Sequence, residues 1–161
     1  MNALSVLTFL FLLPFSPSNP EGTRPDDKAV MWYSWEEAVE ANKEEPRKFF
    51  VDVYTDWCGW CKRMDQTTFK DQQVASFLND NFYPIKLNAE QRADITYQGK
   101  VFKFRDVGRR GVHELAYSLL DGKLGYPSYV YLNEKQERIA ISPGYKPADQ
   151  MLQELKRMAQ K

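Results

Sequence analysis

Cys58 and Cys61 are the two cysteines of the 161-residue chain, and only Gly59 and Trp60 separate them. Thiols at this spacing can close a disulfide across one helical turn and open it again. With no third thiol, the pair cannot belong to a larger disulfide framework. Exchange of electrons with the disulfides of other proteins is the chemistry this pattern favours. Zinc would need two more ligands, and the chain offers a single histidine, His113, besides its carboxylates. We therefore expect no metal and no organic cofactor, the redox-active pair carrying the electrons itself. A purely structural disulfide across so small a loop would contribute little stability.

The elements that must position this pair can be read on both sides of it. Residues 34–37, Ser-Trp-Glu-Glu, form a capping-box pattern that opens a helix to about residue 45, where Pro46 ends it. Residues 49–54 are a short apolar run with Asp52 inside, which reads as a buried strand leading directly into the cysteines. A helix should start at Gly59, break near 67–69 and restart with Asp71 as N-cap, with Val74, Phe77 and Leu78 as its apolar stripe. Residues 82–87 form a second strand, and 128–132 and 138–142 an antiparallel pair. Pro147 opens the last helix, with Ala148, Met151, Leu152, Leu155, Met158 and Ala159 on one face. The expected class is α/β, a central mixed sheet flanked by helices.

Composition narrows the function classes. Aromatic residues make up 14% of the chain and the hydrophobic fraction of 43% suits one globular domain. The 22 Lys and Arg balance the 22 Asp and Glu, so no basic excess points to nucleic acid. Residues 1–20 carry no charge, and 3–15 are a nearly unbroken apolar run, too short to span a bilayer but suited to a signal peptide or an N-terminal anchor. Residues 21–31 read as a linker and 32–161 as the domain. The expected location is outside the cytoplasm, in the periplasm, as a monomer.

Trp57-Cys58-Gly59-Trp60-Cys61-Lys62 at the end of the first core strand resembles the active site of the thioredoxin superfamily. The resemblance covers residues 32–161, apart from an insertion at about 91–123. Asp52 lies where that family carries a buried Asp, and Lys86 where it carries a neighbouring Lys. Tyr126-Pro127 looks like the cis-proline loop facing the cysteines, and Gly144 also finds its counterpart. The resemblance implies a thioredoxin fold and a thiol–disulfide oxidoreductase acting on protein disulfides, supplied with electrons by a membrane thiol donor. Cys58 is then the nucleophile, at a helix N-terminus that favours its thiolate. Cys61 resolves the mixed disulfide. Asp52, enclosed by apolar neighbours, accepts the Cys61 proton, and Lys86 moderates its charge. Trp57, Gly59, Trp60, Tyr126 and Pro127 form the substrate surface, with Trp57 packed beside the disulfide and Trp60 exposed. Trp60 departs from the proline usual at its position, which leaves the direction of electron flow open. A reductase is expected, and a disulfide oxidase or isomerase, or a peptide-binding module with idle cysteines, are the alternatives.

Within the insertion, residues 95–104 alternate around Gln98-Gly99 as a hairpin. Residues 105–111 form a basic turn and 112–120 a short helix with Val112, Leu115, Ala116 and Leu119 on one face. Lying just before the proline loop, the segment should neighbour the redox site and shape partner choice, or else cover the sheet edge. His113 reads as a surface or structural histidine.

Overall fold

The structure is a computed structural model that describes residues 29–106 and 110–161. The expected signal peptide or anchor at residues 1–20 and most of the expected linker lie outside the described residues. Where the linker was expected to continue to residue 31, the packed domain already begins: Val30 is buried, and Asn79 clasps the chain by donating to Ala29 O and accepting from Met31 N, both at 2.9 Å.

Ser34 caps α1 (Trp35–Glu44). Its hydroxyl accepts from Glu37 N while Glu37 accepts from Ser34 N, the reciprocal pair that the sequence implied. After β1 (Lys48–Tyr54) come α2 (Gly59–Gln66), a 3-10 turn at Thr68–Lys70, and α3 (Gln72–Asn81). Asp71 caps α3 by accepting from Gln73 N and Val74 N. The chain returns as β2 (Phe82–Asn88), then enters the insertion: β3 (Ile95–Tyr97), β4 (Lys100–Phe102), β5 (Phe104–Arg105), β6 (Val112–His113) and α4 (Glu114–Leu119). It closes with β7 (Ser128–Leu132), β8 (Arg138–Pro143) and α5 (Ala148–Ala159).

The main sheet has the order β2-β1-β7-β8. β1 and β2 are parallel, and the other two pairings are antiparallel. This is the mixed sheet flanked by helices that the sequence led us to expect. Pro84 fits because β2 is an edge strand, where a missing N–H breaks no ladder on its outer side. That side is covered by Tyr33, whose N–H donates to Pro84 O at 2.8 Å.

The period-2 alternation of β1 divides the core. Phe49, Val51 and Val53 join Trp35, Ile85, Leu115 and Leu119 on one face. Phe50 joins Met64, Phe69, Leu78, Tyr129 and Leu155 on the other, beneath α2, α3 and α5. Asp52 has the parity of Phe50 and so belongs to the face that α2 covers.

The insertion differs in detail from its expected form. The hairpin turns at Gln98-Gly99, where both residues have positive φ (49° and 74°). It ends at Phe102, because Phe104 leaves it to pair with His113. Val112 and His113 are therefore strand rather than the first turn of a helix, and α4 starts at Glu114. Gly111 permits this pairing: a Cβ there would fall 1.9 Å from the Phe104 ring. His113 is fully buried, which excludes the surface alternative.

Candidate functional site

β1 ends at Tyr54 and the chain turns through Thr55, whose carbonyl accepts from Cys58 N at 3.1 Å. Cys58 is the N-cap of α2, and its Sγ accepts from Cys61 N at 3.1 Å. A sulfur in this position receives the free N–H groups and the positive end of the helix, both of which favour a thiolate. The two cysteines form a disulfide, with Cα atoms 5.3 Å apart. Cys58 is 5% exposed and Cys61 2%, so the sulfurs lie at the bottom of the surface.

Beneath α2 lies a charged cluster in an apolar setting. The parallel register sets Asp52 beside Lys86, and the antiparallel register sets it beside Tyr129. Lys86 Nζ donates to Asp52 Oδ2 at 2.7 Å and pairs also with Asp65 of α2. The ammonium stands over the rings of Trp32, Tyr54 and Phe69, 4.7 to 5.4 Å from their centroids. Asp52 is 1% exposed, and its Oδ1 has no hydrogen-bond partner among the described residues. Burial pushes its pKa up to about 6 against the pull of Lys86, and the Asp65 charge adds to the rise. Desolvation works against the Lys86 ammonium, but Asp52 and Asp65 together raise its pKa above the ordinary value. The site thus holds a buried carboxyl that can take or release a proton near neutrality, beneath the helix that carries the disulfide.

The surface around the sulfurs is aromatic. Trp57 is 51% exposed rather than packed down beside the disulfide, because other groups hold it upright. Its Nε1 donates to Glu90 Oε1 at 3.0 Å, the Tyr126 ring meets it edge-on, and Arg110 lies 4.2 Å over its face. Trp60 is 62% exposed, as expected, and its ring meets Tyr145 at 5.2 Å. The peptide bond between Tyr126 and Pro127 is cis, and the contact of Tyr126 with Trp57 sets that loop beside the cysteine motif. Gly59 is exposed, with nothing within 4 Å of where a Cβ would stand. Ser128 fastens the loop by donating to Gly125 O at 2.6 Å.

Of the residues expected from the sequence, Cys58, Gly59, Trp60 and Cys61 form the start of α2, Asp52 and Lys86 lie beneath that helix through the Lys86–Asp65 pair, and Trp57 meets the Tyr126-Pro127 loop through the Tyr126 ring. The sequence reading missed Asp65, Glu90 and Arg110. Asp65 had a signal, since it follows Cys61 by one helical turn and shares its face. Glu90 and Arg110 had none, because their positions depend on how β2 ends and how the insertion folds back. Among the described residues, no group of three or more His, Cys, Asp or Glu side chains could hold a metal ion, and no helix is long and apolar enough to cross a membrane.

The chain is 34% identical over 79 residues, 45% of its length, to the thiol:disulfide interchange protein DsbD of Ralstonia nicotianae. It spans 12% of that protein, and about a tenth of the proteins that it matches in Caenorhabditis elegans and Rattus norvegicus. Among solved structures it is similar to a DsbH oxidoreductase, with a TM-score of 0.60, 18% identity, and coverage of 90% of this chain and 95% of that one. It is also similar to a thioredoxin from Thermus thermophilus, with a TM-score of 0.59, 21% identity, and coverage of 80% and 86%. The fold is that of the thioredoxins. Residues 23–160 match the model of the Thioredox_DsbH family, described as "Protein of unknown function, DUF255", and the chain belongs to that family.

Proposed function

We propose that the protein is a thiol–disulfide oxidoreductase that reduces disulfides of exported proteins. The observation that carries this reading is the Cys58–Cys61 disulfide at the N-terminus of α2, with the buried Asp52–Lys86 pair beneath that helix. In the reduced protein the Cys58 thiolate attacks one sulfur of a substrate disulfide. The other substrate sulfur leaves as a thiolate and takes a proton from solvent. Asp52 accepts the Cys61 proton, and the Cys61 thiolate attacks Cys58 Sγ. The Cys58–substrate bond breaks, the second substrate sulfur leaves as a thiolate and takes a proton from solvent, and the Cys58–Cys61 disulfide forms. Two electrons have passed to the substrate. A membrane thiol donor then restores the dithiol by the same exchange in reverse.

Two features support reduction over oxidation. Trp60 places no imidazole or cation between the cysteines to hold a thiolate strongly. Asp52, ionised above about pH 6, disfavours a second negative charge nearby. The similarity to a thiol:disulfide interchange protein supports the reaction class, and the apolar run at residues 3–15 supports export.

The test is the reduction potential of the pair, set by equilibration in thiol buffers and read by mass. A value near thioredoxin's, about −270 mV, is expected. A value near about −120 mV would make the protein an oxidant instead. A pair that never cycles would leave a peptide-binding module with idle cysteines.

A further inference from the structure

Two tryptophan–arginine pairs bracket the disulfide. On one side the insertion returns Arg110 to lie over Trp57, 4.2 Å from the ring centroid. On the other, Trp60 and Arg63 stand three residues apart on α2 and line, with Gly59 and Tyr145, an open cleft of about 600 Å³. Both indoles are more than half exposed. Arg63, Arg110 and Lys62, which precedes Arg63 on α2, are exposed, and among the described residues none has a carboxylate partner.

The acidic groups on this face are engaged differently. Glu90 accepts the Trp57 indole N–H, and Asp65 is held by Lys86. Asp56 remains, exposed. Three cations without a carboxylate partner therefore stand on this face against two carboxylates, Asp56 and Glu90, the latter keeping its charge because its partner is a neutral indole N–H. Arg110, stacked on the Trp57 indole, keeps the edge of its guanidinium free, and that edge takes a carboxylate in a two-point fork while the ring offers apolar area; Arg63 presents its guanidinium at the cleft that it lines with Trp60. Aromatic and arginine side chains together are the usual anchors of protein docking surfaces.

We propose that this face docks an extended polypeptide segment bearing a disulfide with carboxylates on both sides of the attacked cysteine, and that Arg110 and Arg63 read those carboxylates. The proposal rests on the oxidoreductase reading and names its substrate class. Arg110 is thereby a specificity-determining residue, and the insertion influences partner choice through it.

Three synthetic peptides, each closed by one internal disulfide and flanked by Glu, Gln or Lys, test this. Second-order rates of their reduction by the dithiol protein are measured at low and high salt. The expected result is reduction of the Glu peptide about tenfold faster than the Lys peptide at low salt, the ratio approaching one at 0.5 M salt. The ratio should fall in Arg63→Gln and again in the double variant with Arg110→Gln. Equal rates, or a preference for Lys, would overturn the proposal while leaving the oxidoreductase reading intact. If no peptide is reduced, that reading fails instead. The docking preference is then decided by binding of the same peptides to the Cys58→Ser/Cys61→Ser protein, read by indole fluorescence: tighter binding of the Glu peptide supports it, and equal binding ends it.

Discussion

Asp52 sits where a carboxylate is costly to ionise, and this has a consequence for stability. Its folded pKa of about 6 lies above the ordinary value of 3.8 because burial outweighs the Lys86 partner. A raised carboxyl binds its proton more tightly in the folded state. The resulting stability is fully present below the unfolded pKa and is lost as pH rises through about 6. Asp52→Asn removes that dependence. The variant should gain stability relative to the natural protein by on the order of 2 kcal/mol between pH 4 and pH 8. Urea unfolding at both values checks this, and parallel curves for the two proteins would show that the carboxyl titrates normally. The same variant should slow release of the mixed disulfide by roughly a hundredfold, since a general base is gone. The residues behind this argument were legible to different degrees. Cys58 and Cys61 are legible from spacing alone, and Asp52 from its place in an apolar run. Lys86 became legible only through the resemblance, because the register of a parallel pair is not written in either strand.

At the scale of elements, the insertion is joined to the sheet by a buried histidine. His113 Nδ1 accepts from Leu115 N at 3.3 Å, capping α4, so Nε2 carries the proton and meets Ala93 O at 3.1 Å. Only the neutral ring can do both. Burial lowers its pKa, against the opposing influence of the Ala93 carbonyl and of Glu114 and Asp94. A depressed folded pKa gives stability that is present above the unfolded value of about 6.5 and is lost as pH falls through the folded one. Between pH 7.5 and 5, after correction for intrinsic rates, hydrogen exchange at the Leu115 amide in the natural protein should therefore speed up relative to that in His113→Asn, which keeps a capping oxygen but does not titrate; the opposing Asp52 contribution is common to both proteins and cancels in the comparison. Equal pH dependence in both would remove histidine from the explanation. The helices and main strands were legible because caps and periodicities are local. β5 and β6 were not: two residues have no period, and their pairing rests on Gly111 admitting the Phe104 ring.

For the whole molecule, the insertion belongs to the core. Ile95 and Phe102 are buried in the same cluster as Trp35, Leu115 and Val130, and the Tyr97 ring meets Trp35 edge-on at 4.9 Å. The sequence placed the segment near the proline loop but gave no measure of this burial, because contacts between distant elements leave no local pattern. The segment whose strands help bury Trp35 thus also includes Arg110, which stands over Trp57 at the active-site surface. Such integration predicts a single cooperative unit. Phe102→Ala, far from the disulfide in sequence, should lower global stability by about 3 kcal/mol, as truncation of a buried aromatic does. It should shift far-ultraviolet dichroism and the fluorescence of the active-site indoles together along the urea axis. If the insertion were an independent flap, the substitution would leave the midpoint of the main transition unmoved, or the two probes would separate. Coincident displacement of both probes is the outcome that the shared core requires.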